Sequence, residues 1–108
     1  MLAVTFLYYE DCPSHEIALE RLKQAVADEA VQAAIEVVKV ETDAQAEQLR
    51  FVGSPTIRIN GRDIDTPPAN AYYGLTCRAY RLEDGRISPL PSPGMIRRAL
   101  RTAAAGER

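Results

Sequence analysis

The apolar run Leu2-Ala3-Val4-Thr5-Phe6-Leu7-Tyr8-Tyr9 stops just short of Cys12-Pro13-Ser14-His15, where an amphipathic helical pattern begins. The run is β-branched and aromatic with almost no polarity, which predicts a central strand buried on both faces. At about 100° per residue, His15, Ala18, Leu19, Leu22, Ala25, Val26 and Ala30 fall on one side of the following helix. Glu16, Glu20, Lys23, Gln24, Ala27 and Asp28 take the other. Pro13 suits a first helical turn because its missing N–H would have no intrahelical partner. The pattern predicts a helix from Pro13 to about Ala33. A strand that feeds a helix in this way restricts the chain to a βα unit. It also sets Cys12 where free amides and the positive end of the helix dipole favour a thiolate.

The remaining pattern extends that unit. Ile35-Glu36-Val37-Val38-Lys39-Val40 predicts a second strand, and Thr42 with Gln45 has the spacing of a capping box for a helix from Asp43 to about Phe51. Gly53 closes that region, Thr56-Ile57-Arg58-Ile59 predicts a third strand, and Asn60-Gly61 is a strong hairpin signal. Periodicity then dissolves from Asp63 to Thr76, a length that in a small domain marks a functional or mobile segment. Arg78 to Leu82 resumes a strand and Glu83-Asp84-Gly85 turns it. Ser92-Pro93 caps a last helix with Met95, Ile96, Ala99, Leu100 and Ala103 on one face. The predicted order is β-α-β-α-β-β-α. Its parallel front half joined by a right-handed crossover, with an antiparallel hairpin behind, gives an α/β fold with a central mixed sheet flanked by helices.

Composition narrows the function classes. The 108 residues fit one domain, and a net charge of −2 gives no general attraction to nucleic acid or to an anionic membrane. The basic stretch Arg97, Arg98 and Arg101 reads as a solvated helix face. No apolar segment approaches the roughly 20 residues that span a bilayer. The first residues lack the charged start of a signal peptide, so a cytoplasmic protein is expected. Two cysteines in that setting point to a reactive, metal-binding or buried role rather than to a disulfide scaffold.

Cys12 is the leading candidate for a reactive group, with an inert buried thiol as its plain alternative. Glu10 and Asp11 oppose a thiolate there, each by about 1 kcal/mol at 4 Å in water. His15 lies on the apolar stripe below Cys12, where it is either a charge and proton partner or a structural side chain. As the only histidine, it builds no zinc site without several other ligands. Cys77 is either a second thiol for Cys12, if the segment from Asp63 folds back, or a core residue at the start of a strand. Tyr72, Tyr73 and Tyr80 line a groove or simply fill space.

The element order, Cys12-Pro13 at the first strand–helix junction, Gly53-Ser54-Pro55-Thr56 before the third strand and Asn60-Gly61 at the hairpin together resemble the thioredoxin-like superfamily. Cys12-Pro13 is similar to the start of a glutaredoxin active site, here as a Cys-Pro-x-His variant. The chain is also similar to small bacterial thioredoxin-like proteins with a second cysteine after the third strand, here Gly74-Leu75-Thr76-Cys77-Arg78. The resemblance implies a single thioredoxin-like domain over residues 1–108 with a loop insertion at 63–76. It also implies a cis peptide before Pro55, a substrate-binding set of Pro13, Ser54, Pro55 and Tyr73, and catalytic roles for Cys12, His15 and Cys77. His15 stands where a dithiol enzyme has its second cysteine, so exchange within one loop is excluded. The implied activity is thiol–disulfide exchange with a protein or small-molecule partner, with Cys12 as nucleophile and Cys77 or an external thiol resolving the intermediate. No cofactor or resident metal is implied. The competing expectation is a non-enzymatic module that binds a partner or a soft metal such as Cu(I) or Hg(II).

Overall fold

The structure, a computed structural model, describes residues 1–106. Strand β1 (Leu2–Tyr8) runs between β2 (Ala33–Lys39), parallel to it, and β3 (Thr56–Ile59), antiparallel to it. A short β4 (Arg62–Asp63) pairs with β3, so the sheet order is β2-β1-β3-β4. Two further short strands, β5 (Tyr80–Arg81) and β6 (Ile87–Ser88), form a separate antiparallel ribbon. The helices among the described residues are α1 (His15–Asp28), α2 (Asp43–Leu49) and α3 (Pro93–Gly106). The fold is α/β, as expected, and none of these helices is long and apolar enough to cross a membrane.

One face of the sheet carries the main core. Leu2, Val4 and Phe6 of β1 and Ile57 and Ile59 of β3 meet Ala18, Leu22 and Ala25 of α1 and Ile96 and Leu100 of α3. Each large apolar side chain buried here contributes about 1.5–3 kcal/mol. The opposite face is covered only at one end, where Leu7, Val40, Ala46 and Phe51 cluster under α2. β1 is therefore central but not buried on both faces along its length: Ala3 is exposed and Thr5 half-buried. Apolarity alone does not distinguish a strand covered at one end from one covered throughout.

Helix α1 starts two residues later and stops five residues earlier than its pattern predicts. Ala30 takes a left-handed conformation (φ 53°), with the Ala30 N–H donating to the Ala27 carbonyl and the Val31 N–H to the Val26 carbonyl. That is a Schellman closure, and Val26 and Val31 both pack against the core beside it. Alanine at the left-handed position sends no stop signal, so the helical pattern continues past it and β2 begins two residues before its predicted start. Helix α2 has the predicted capping box at Thr42 and Gln45. It also ends on a left-handed residue, Arg50 (φ 54°), and the Arg58 guanidinium donates to the carbonyls of Leu49 and Arg50.

The Asn60-Gly61 hairpin forms with both residues at positive φ, 52° and 82°. Its second strand, β4, reaches into the head of the aperiodic segment. The strand expected from Arg78 to Leu82 shrinks to β5 and leaves the main sheet, and its partner β6 has no counterpart in the predicted order. Of the basic face on α3, Arg101 pairs with Glu29 at 2.7 Å and Arg97 lies 3.9 Å from Asp28, tying α3 to the end of α1.

Candidate functional site

Cys12 follows the carboxyl end of β1 in a turn closed by its own N–H to the Tyr9 carbonyl (3.1 Å), three positions before the first helical residue. Its side chain is buried, with 1% of its surface exposed. Opposite it, the peptide between Ser54 and Pro55 is cis, as the resemblance implies. Ser54 is fully buried and connects three pieces of chain. Its hydroxyl accepts the Tyr9 N–H (2.9 Å), and its carbonyl accepts the Cys12 thiol (3.4 Å). Its N–H donates to the Thr76 carbonyl, and the same Ser54 carbonyl accepts the Arg78 N–H, both at 2.8 Å.

Those last two bonds make Ser54 and Cys77 a parallel bridge. The segment from Asp63 therefore does fold back, and it lays Cys77 over Cys12 with the two sulfurs 2.7 Å apart. Backbone proximity at Gly53 permits this docking. At φ +139°, a Cβ on residue 53 would lie 2.8 Å from the Arg78 Cα and 2.9 Å from its nitrogen. Only glycine fits.

The docked segment is clamped from below. The Arg78 guanidinium forms two bonds to the Asp63 carboxylate (3.0 and 2.9 Å), one to Thr56 Oγ1 (3.2 Å) and one to the Asp65 carbonyl (2.6 Å). It also lies 4.5 Å from the centroid of the Tyr80 ring, and the Tyr80 hydroxyl donates to the Pro55 carbonyl at 2.6 Å. Burial is the largest single influence and works against the Arg78 charge, but the Asp63 bonds together with the charges of Tyr80, Asp63 and Asp65 outweigh it and raise its pKa above the usual arginine value. Burial likewise pushes the Tyr80 phenol up. Among the described residues, no buried side-chain nitrogen or oxygen is left without a partner. Sequence reasoning missed this clamp: Asp63 and Arg78 stand at opposite ends of an aperiodic stretch, and no local spacing couples them.

The two sulfurs differ in setting. Cys77 is exposed where Cys12 is buried. The Cys77 thiol is pushed up to about 11, chiefly by its hydrogen bond to Cys12, then by desolvation and by the charge on Cys12. The Cys12 thiol points to the Ser54 carbonyl, and either sulfur can act as donor across the 2.7 Å contact. The acidic neighbours are engaged elsewhere: Glu10 pairs with Lys39 at 2.9 Å, and Asp11 accepts the Tyr9 hydroxyl at 3.0 Å.

The other predicted residues are placed as follows. His15 stacks on Tyr8 with ring centroids 4.6 Å apart, which fixes the start of α1 against β1. Cys12 Sγ bonds instead to Ser54 and Cys77. Pro13 is exposed in the turn, and Pro55 is buried at the entry to β3. Tyr73 is half-buried in the segment leading to Cys77, Tyr72 is exposed and Tyr80 is in the core.

Chemically, two thiols in contact can exchange two electrons and two protons for a disulfide. A two-coordinate metal with sulfur about 2.3 Å away on each side needs sulfurs about 4.6 Å apart, so this pair would have to open to admit one. Among the described residues, no group of three or more His, Cys, Asp or Glu side chains is arranged to hold a metal. Comparison of the chain with protein-family models found no match, and comparison with curated proteins found none.

Proposed function

We propose that this chain is a thioredoxin-like thiol–disulfide oxidoreductase whose redox pair is Cys12 and Cys77. The observation that carries the reading is the 2.7 Å approach of two sulfurs 65 residues apart. It is backed by a segment that a glycine, a backbone bridge and a buried arginine hold in place. A merely structural thiol needs no such framework. The sheet order β2-β1-β3-β4, with only β1 and β2 parallel, and the cis peptide ahead of β3 support the thioredoxin-like assignment. Cys77 does the work of the absent second cysteine of a Cys-x-x-Cys loop. In the reduced form the two thiols share a hydrogen bond; in the oxidised form they share a disulfide. The partner is an external thiol or disulfide, and the cytoplasm, where such exchange is continuous, is the natural compartment.

The test is reduction of a small disulfide substrate coupled to a thiol donor, compared between wild type, Cys12→Ser and Cys77→Ser. Loss of turnover in both variants, with circular dichroism unchanged, is the expected result. Turnover that survives both substitutions would refute the pair.

A further inference from the structure

Thiol–disulfide exchange proceeds in line: the attacking thiolate approaches one sulfur along the S–S axis, from the side opposite the leaving sulfur. In this site the two directions are not equivalent. Approach to Cys12 Sγ opposite Cys77 runs through the interior, because Cys12 is 1% exposed and its carbonyl partner Ser54 is fully buried. Approach to Cys77 Sγ opposite Cys12 comes from solvent, because Cys77 and its neighbours Thr76 and Ala79 are exposed.

We infer that Cys77 is the entry sulfur: a low-molecular-weight thiol attacks Cys77 Sγ of the oxidised pair, and Cys12 Sγ, buried ahead of α1, is the leaving thiolate. This reverses the order suggested by the position of Cys12 in its motif and rests on the redox-pair reading above. In the first step R–S⁻ forms a bond to Cys77 Sγ and the Cys77–Cys12 bond breaks, giving Cys77–S–S–R and Cys12–S⁻. A second R–S⁻ then attacks the R sulfur, releasing R–S–S–R and the Cys77 thiolate. The protein disulfide has gained two electrons, two protons come from solvent, and two external thiols have been oxidised to one disulfide. In the reverse direction the Cys77 thiolate opens R–S–S–R and Cys12 resolves the mixed disulfide.

The partner class follows from the same bridge. An extended polypeptide is normally held by backbone bonds to a free strand edge. At Ser54 that edge is taken by Thr76 and Arg78 of the chain itself. A small thiol needs only the exposed sulfur.

The probe is glutathione. Oxidised wild-type protein, its Cys12–Cys77 bridge first verified by non-reducing peptide mapping, is treated with reduced glutathione, quenched in acid and mapped. The adduct is expected on Cys77. Reduced Cys12→Ser, exposed to glutathione disulfide, should form its adduct more than about tenfold faster than reduced Cys77→Ser, and the difference should vanish in denaturant. An adduct on Cys12, or equal rates for the two folded variants, would overturn entry at Cys77 while leaving the redox pair intact. Absence of the bridge would overturn both. At matched thiolate concentration, a cysteine-containing extended peptide should open the bridge no faster than glutathione. A clear preference for the peptide would overturn the small-thiol assignment.

Discussion

Gly53→Ala is the substitution that most selectively separates the two cysteines. The added methyl would meet the Arg78 Cα at 2.8 Å, the Arg78 nitrogen at 2.9 Å and the Cys77 carbonyl carbon at 3.1 Å. All three are backbone atoms and cannot swing aside, so the segment 76–78 must lift away from Ser54. Lifting it breaks two backbone hydrogen bonds of 2.8 Å, each contributing about 0.5–1.5 kcal/mol. Alanine held at φ +139° instead of lifting the segment would add about 1–3 kcal/mol of strain. An undocking cost of about 1–3 kcal/mol corresponds to a fall of about 5- to 150-fold in the constant for forming the Cys12–Cys77 bridge. On a potential scale that is a rise of about 20–65 mV. The assay is equilibration of wild type and variant in glutathione redox buffers, with acid-trapped thiols counted by mass. Gly85→Ala is the control: residue 85 also has a positive φ (88°), but a methyl added there would meet nothing within 4 Å. It should lower stability and leave the redox equilibrium alone. If Gly53→Ala matches wild type in that equilibrium, docking of the 76–78 segment does not govern the pair.

Other outcomes follow from the same contacts. In the reduced protein, alkylation of Cys77 should rise with pH up to about 11, and in Cys12→Ser its midpoint should fall towards the ordinary thiol range, because the hydrogen bond to Cys12 is the leading cause of the shift. The sign for stability is fixed by a folded-state pKa above the unfolded one: the Cys77 contribution is complete below the unfolded thiol value and is lost as pH rises through about 11. Denaturant melts of the reduced protein across that range check it. Asp63→Ala strands the Arg78 charge in a site where only 5% of its side chain is exposed. It should cost about 3–5 kcal/mol in denaturant unfolding and increase Cys12 alkylation as the clamp loosens. Ala30→Gly relieves a left-handed alanine (φ 53°) and should stabilise the protein by about 1 kcal/mol in the same melts.

The parts of the fold that follow from local chemistry were legible in the chain. The βα junction, the capping box at Thr42, the Asn60-Gly61 hairpin and the Ser92 cap each need only neighbouring residues, and Ser92 Oγ does accept the Met95 N–H at 3.1 Å. The errors fell where a long-range contact or an atypical residue decided the outcome. Ala30 ends α1 without the usual glycine, and β4 needs β3 to exist at all. The site divides in the same way. Cys12, Ser54 and Pro55 stand out through their positions next to strand ends. Gly53 reads as a helix stop, but its decisive contact is with Arg78. The Asp63–Arg78–Tyr80 clamp was invisible because ion pairs across an aperiodic loop leave no period. Cys77 could be suspected but not placed, since its position depends on that clamp.

The central claim is that Cys12 and Cys77 are one redox pair. Its most direct test is mild oxidation of dilute, fully reduced protein, followed by intact mass and non-reducing peptide mapping. A redox pair gives loss of two hydrogens from the monomer, a single Cys12–Cys77 peptide and full reversal by a dithiol. Two persistent free thiols, or bridges only between separate chains, would contradict it.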